Sequence, residues 1–144
     1  HGDCWASLIL HPDWSKKDFK SVRQYMRKLK PEICTFSPLT PFPNLPLYKK
    51  YEDRLLVSKY QYHLWSFGQM TIRPSAMSIR GYLYQMLLSS LYINYVNNNI
   101  GYLVGKFNVA TVFRIVLGSA RVAFIMLKMI IRGEAYYSDL KEID

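Results

Sequence analysis

Apolar and polar positions follow two rhythms along this chain and divide it into halves. Residues 5–10 form an apolar run, the pattern of a strand covered on both faces. His11-Pro12-Asp13 ends it. Ser15 then opens a helix, with Asp18 three residues on as a short-acid version of the capping box. Phe19, Val22, Met26 and Leu29 recur at spacings of three and four, a single apolar stripe. Lys16, Lys17, Lys20, Arg23, Arg27 and Lys28 fill the solvated side. Pro31 stops the helix, and residues 33–39, rich in β-branched and aromatic side chains, make the next strand.

Strand, helix, strand with short joints is a βαβ unit, so the two strands are expected to be parallel neighbours with a right-handed crossover. Ligands of such sheets gather at the carboxyl ends of the strands, here His11-Pro12-Asp13 and residues 38–46. The second of these opens a segment, residues 37–48, that holds four of the seven prolines and reads as a rigid, extended connector. Beyond it, Tyr60, Tyr62, His63, Trp65 and Phe67 crowd an irregular stretch, with an edge strand expected near residues 69–73.

The second half is helical. Ser75 or Ser78 caps a helix running to about Val96, whose apolar side is read as Met77, Tyr84, Leu87, Leu88, Leu91 and Tyr95. Asn97-Asn98-Asn99 breaks it, and residues 101–108 carry no decisive pattern. Residues 109–131 then make a long apolar helix that Gly133 ends. The tail to Asp144 carries four of the ten acids and is expected to fray.

Composition changes this picture in three respects. Half of the 144 residues are hydrophobic, which excludes a disordered tail and allows a real core. Nineteen basic residues against ten acids leave a net charge of +9, which points to an anionic partner. The basic residues spread over two helices and several loops and form no recognition motif, so nucleic acid is not the expected one. The two cysteines, Cys4 and Cys34, lie thirty residues apart, form no C-x-x-C pair, and are expected to be buried thiols. A disulfide framework is not indicated, which suits a reducing, cytoplasmic setting.

Three stretches carry a family resemblance. The run Ala6-Ser7-Leu8-Ile9-Leu10-His11-Pro12-Asp13-Trp14-Ser15-Lys16-Lys17-Asp18-Phe19 is similar to a late barrel strand of radical S-adenosylmethionine enzymes, particularly those with an N-terminal cobalamin-binding domain. Thr40-Pro41-Phe42-Pro43-Asn44-Leu45-Pro46-Leu47-Tyr48 resembles their T-P-x-P-G-T-P-L-Y segment, and Arg73-Pro74-Ser75-Ala76-Met77-Ser78 resembles the proline and Met-Ser before a C-terminal helix. Asn44 and Leu45 stand where the family has Gly-Thr, and His11 replaces a turn glycine. Glycine there serves a positive φ or a close approach, and Asn tolerates that conformation next best.

The resemblance implies an α/β half followed by an α half: the last βα units of a partial (β/α) TIM-like barrel over residues 1–75, then an accessory helical region over 76–144. It implies S-adenosylmethionine and a 4Fe–4S cluster as cofactors of a longer parent, with cobalamin-dependent methyl transfer to an unreactive carbon among the reactions. The family's three-cysteine loop would lie upstream, in the rest of the parent chain, and this part would be inactive alone. It would supply the far wall of the cofactor pocket: the backbone of Leu39, Thr40, Pro41 and Phe42 against the adenine, with Ile9 and His11 beside it. A backbone wall suits adenine, whose edge needs one donor, one acceptor and apolar contact. The aromatic cluster with Tyr62, His63 and Trp65 would face a small-molecule or lipid-like substrate.

Single residues also have plainer readings. His11 is expected to bond a neighbouring carbonyl, His63 to sit at the surface or be partly packed, and Asp13 to cap the following helix. A different class of function competes. Arg114, Arg121, Lys128 and Arg132 fall within roughly 40° of one another on the long apolar helix. Spanning a bilayer would cost roughly 8–10 kcal/mol for the first three charges against about 4–7 returned by its apolar residues, so a span is disfavoured. Two readings remain: the helix is buried on most sides in a longer protein or dimer with its basic stripe solvated, or the chain is a non-catalytic peripheral module that lays this basic amphipathic helix on an anionic membrane surface.

Overall fold

A computed structural model describes residues 4–66, 68–97 and 104–141. Strand β1 (Trp5–Leu10) leads to helix α1 (Lys16–Leu29), strand β2 (Ile33–Pro38) and a short helix α2 (Pro46–Tyr51). Then come α3 (Ile79–Leu91), prolonged by a π-helical stretch Tyr92–Asn97, the long α4 (Val109–Arg132) and α5 (Glu134–Lys141).

The βαβ unit forms as its pattern requires. At the start of α1 the Asp18 carboxylate accepts hydrogen bonds from the Ser15 amide at 2.8 Å and its hydroxyl at 2.7 Å, so an otherwise unpaired donor is satisfied. Lys30 ends the helix with φ 49° and returns its N–H to the Met26 carbonyl. The strands pair in parallel, from Trp5 opposite Ile33 to Leu10 opposite Pro38. Two strands do not make a barrel. The 69–73 region contributes one antiparallel bridge, Leu55 with Ile72, rather than a strand.

The two faces of this sheet differ. Leu10, Cys34 and the half-buried Phe36 turn toward the helices. On the other face Trp5 is 68 % and Ile9 62 % exposed. The continuous apolar run of β1 predicts cover on both faces, and among the described residues only one is covered. Cys4 likewise is exposed, whereas Cys34 is buried and its thiol is pushed up to about 11 by desolvation.

The free edge of β2 is closed by a side chain. Asn94, in the π-helical stretch, accepts from the Cys34 amide at 2.9 Å and donates to the Cys34 carbonyl at 2.8 Å, in the manner of a neighbouring strand.

Helix α3 buries a different face from the one its sequence suggests. Ile79, Tyr82, Leu83, Gln85, Met86, Leu87 and Ser89 are inside, while Tyr84, Leu88 and Leu91 are exposed. The helix is apolar nearly all round, so its periodicity is weak, and an ion-assisted contact decides. Arg23 of α1 donates to Gln85 Oε1 at 3.1 Å and Ser89 Oγ at 2.8 Å. Arg23 thus leaves the solvated row and faces α3.

Asn108 caps α4 by accepting from the Thr111 amide at 2.8 Å, and Gly133, at φ 55°, ends it. The tail beyond is the helix α5 and not a frayed end as far as Lys141, because Tyr137 is buried and Gln61 donates to the Leu140 carbonyl. One core cluster joins Leu10, Phe19 and Trp65 to Tyr82, Met126 and Tyr137. This cluster draws on residues from both sides of the 75/76 division.

Candidate functional site

The carboxyl ends of β1 and β2 lie side by side, and three segments that are distant in sequence meet there. The first is the turn after β1. His11 is half-buried. Its Nδ1 accepts from the Asp13 amide at 3.3 Å, which leaves Nε2 to donate to the Tyr51 hydroxyl 3.2 Å away when the ring is neutral. The His11 carbonyl accepts from the Tyr82 hydroxyl at 3.2 Å, and burial raises that phenol's pKa and keeps it a donor. The expected neighbour of the imidazole, a carbonyl, is thus a tyrosine hydroxyl.

Asp13 does not cap α1; Ser15 and Asp18 do. Its carboxylate instead accepts from Arg54 Nη2 at 2.6 Å and from Ser75 Oγ at 2.5 Å. These two hydrogen bonds, Arg54 first, hold its pKa below the usual carboxylate value. Arg54 also donates to the Arg73 carbonyl from Nε at 3.1 Å and Nη2 at 2.7 Å, and its guanidinium lies 5.6 Å from the Tyr51 ring centroid. The Asp13 carboxylate thereby ties the turn after β1 to the Arg73-Pro74-Ser75 segment.

The second segment continues β2. The Leu39 amide adds a rung to the sheet by donating to the Leu10 carbonyl at 3.0 Å. Thr40 is buried, and its hydroxyl lies 3.1 Å from the Pro38 carbonyl and 3.3 Å from that of Ser66. The Phe42 amide donates to the Thr40 carbonyl at 3.2 Å. Pro41 has no N–H, so the Thr40 amide is the remaining backbone donor of this stretch. The side chains of Pro41 and Phe42 turn toward the core. Asn44 then takes φ 70°, the left-handed conformation that glycine adopts most readily.

Beyond this turn Pro43, Leu45, Tyr48, Lys49, Glu52 and Lys59 line an open groove of about 420 Å³. A second, more apolar cavity of about 430 Å³ lies at the amino end of β2, between Ile33, Thr35, Leu91, Ile115, Val122 and Met126. It is remote from the strand ends where ligands of α/β sheets collect.

Ile9 stands on the open face of β1, one residue before the turn. Of the three aromatic-cluster residues, Trp65 is turned inward: it is buried, meets the Tyr48 ring at a 45° tilt with centroids 5.7 Å apart, and donates from Nε1 to the Ser58 carbonyl at 3.0 Å. Tyr62 and His63 stand exposed on a 3-10 turn and do not share a pocket with it. Pattern reading passed over Arg54, Tyr51 and Tyr82. Pro46 at the first position of α2 was the available sign that Tyr51 would end a helix; Arg54 carried none.

The arrangement is suited to binding and orienting. Asp13, held ionised by Arg54, is no proton donor near neutral pH, whereas His11 Nε2 and the Tyr51 hydroxyl, 3.2 Å apart, share one proton between two groups that can each donate or accept. Comparison with protein-family models, curated proteins and solved structures finds no match to this chain.

Proposed function

We propose that this chain is the C-terminal portion of a radical S-adenosylmethionine enzyme and supplies the adenosyl and substrate side of its pocket. The observation that carries the reading is convergence. Of the three stretches that resemble the family separately, those around His11 and Arg73–Ser78 are joined through Asp13 and Arg54, and Thr40–Tyr48 follows the Leu39–Leu10 rung beside them and leads through α2 to Tyr51, which bonds His11. The positive φ of Asn44, at the position of the family's glycine, adds support. So does the open face of β1 carrying Trp5, Ser7 and Ile9, since parallel sheets are ordinarily covered on both sides. In this reading that face looks into the rest of the barrel.

The residues here fit an adenosyl group better than a cluster. One cysteine is buried and the other exposed, so the three thiolates of a 4Fe–4S site would come from the parent's upstream part. No step of the radical chemistry is assigned to this chain, and nothing in it bears on cobalamin. Its own contribution is the Thr40 amide and Pro41–Phe42 turn as a wall for the adenine, with His11 and Tyr51 at its side.

The coding sequence upstream of His1 tests this directly. A C-x-x-x-C-x-x-C loop some barrel strands earlier is expected, and its absence overturns the reading. Given that loop, the anaerobically purified parent, supplied with S-adenosylmethionine and a one-electron reductant, should release methionine and 5′-deoxyadenosine. Thr40→Pro in that parent removes the donor and should weaken S-adenosylmethionine binding about tenfold while leaving the cluster absorbance unchanged.

A further inference from the structure

Helix α4 is 24 residues long, carries no acid, and buries only Met126 and Met129. Its outer side is apolar and open: Val109 is 82 %, Phe124 71 % and Ile131 73 % exposed, with Phe113, Leu117 and Leu127 beside them. At about 100° per residue these six centre roughly 140° from Met126, which faces α3. Arg114, Arg121 and Lys128 form a stripe about 90° further round, and Arg132, in line with them, is ion-paired with Asp139 of α5. The helix thus has three sides: one on the protein, one apolar and bare, and one basic between them.

We infer that α4 docks the protein on an anionic lipid surface, lying in its plane with the outer apolar side chains in the acyl boundary and the basic stripe among the headgroups. An apolar face turned down into a bilayer leaves residues about 90° away level with the helix axis, where phosphates lie. Charge decides against a second copy as occupant. Two antiparallel α4 helices face to face would bring the Arg114, Arg121 and Lys128 stripes together with no carboxylate on either helix to pair them. A span is opposed by the fold, because α4 lies along α3 and its end is tied back by Arg80, which donates to the Ile131 carbonyl at 3.0 Å. Anionic headgroups strengthen such contacts with each basic residue near the surface. The inference stands on α4 alone and does not depend on the enzymatic reading above.

Vesicle co-sedimentation of the full chain tests it. Binding is expected to vesicles of phosphatidylcholine with about 30 mol % phosphatidylglycerol at low salt, to fall steeply toward about 0.5 M salt, and to be negligible on phosphatidylcholine alone. The variant Arg114→Gln/Arg121→Gln/Lys128→Gln should bind roughly 100-fold more weakly. Phe124→Trp should shift to the blue on binding and be quenched by brominated lipid. No binding to anionic vesicles at low salt overturns the proposal, as does equal binding to neutral ones. A concentration-dependent dimer that Phe124→Ser/Ile131→Ser dissociates, without vesicle binding, would assign the face to a second copy instead. A failed enzymatic reading leaves every one of these outcomes unchanged, since none involves S-adenosylmethionine.

Discussion

Asn94 holds Cys34 by both of its backbone groups, accepting from the amide at 2.9 Å and donating to the carbonyl at 2.8 Å. Cys34 is buried, so these groups have little recourse to water if the side chain is removed. Asn94→Ala should therefore cost about 2 kcal/mol, a fall in Tm of about 6 °C. Hydrogen exchange at the Cys34 amide should quicken by more than at Leu8 or Phe36, which are not held by Asn94. Uniform quickening across β2 would mean that Asn94 acts on global stability alone.

The Arg23 contact with α3 follows the asymmetry between a lost hydrogen bond and an unsatisfied group. Gln85 and Ser89 are buried, and Arg23 supplies a donor to each. Partial burial lowers the Arg23 pKa by desolvation, and it remains charged at neutral pH. Arg23→Ala should destabilise by about 2 kcal/mol because two buried acceptors lose their partner. The triple variant Arg23→Met/Gln85→Leu/Ser89→Ala should recover most of that loss, since all three polar groups go together. Chemical denaturation of the two variants checks both statements, and no recovery in the triple variant would show that packing rather than hydrogen bonding sets the cost.

These two contacts mark the limit of what the sequence discloses. The βαβ unit was legible because each part has a local cause: an apolar run, a serine and aspartate three apart, a stripe at helical spacing, a proline. Asn94 and Arg23 act across about sixty residues, and no local pattern announces that an Asn will replace a strand or that an Arg will leave its solvated row. The face of α3 was misread for the same reason, since a helix apolar all round has no preferred side until its partner is known. In the candidate site, His11 and the proline turn were placed by position at the strand ends. Arg54 and Tyr51 come from a 3-10 turn and a single helical turn, elements too short for any periodicity. The open face of β1 has no local sign, because a strand covered on both sides and one awaiting a neighbour have the same composition.

Asn44 offers a test of backbone conformation with little packing involved, because its side chain is exposed. At φ 70°, glycine meets no steric penalty and a β-branched residue meets a large one. Asn44→Gly should change stability by less than about 0.5 kcal/mol, and Asn44→Val should cost about 1–2 kcal/mol. Thermal melts of the pair rank them. Equal stability of the two would mean that the turn does not hold this conformation in solution.

Asp13 gives the fold a pH dependence whose sign can be worked out. Its carboxylate pKa lies below the ordinary 3.8, chiefly through the hydrogen bond from Arg54 and then that from Ser75. A depressed folded-state pKa means that the unfolded chain takes up the proton first as pH falls. The contribution to stability is thus complete above the unfolded value, declines as pH drops below about 5, and is gone once pH passes the folded value. The side chain is 40 % exposed, so solvent screening limits its worth to about 1 kcal/mol at pH 7. Asp13→Asn should lower Tm by about 3 °C at pH 7, and the two proteins should converge as the pH falls past the folded-state pKa of Asp13. The difference at pH 7 should also shrink in about 0.5 M salt, as expected for an accessible ion pair. Arg54→Met removes the same pair from the other side, so adding Asp13→Asn to it should cost much less than Asp13→Asn alone. Full additivity of the two would mean that Asp13 is held by Ser75 and the turn backbone, with Arg54 incidental to it.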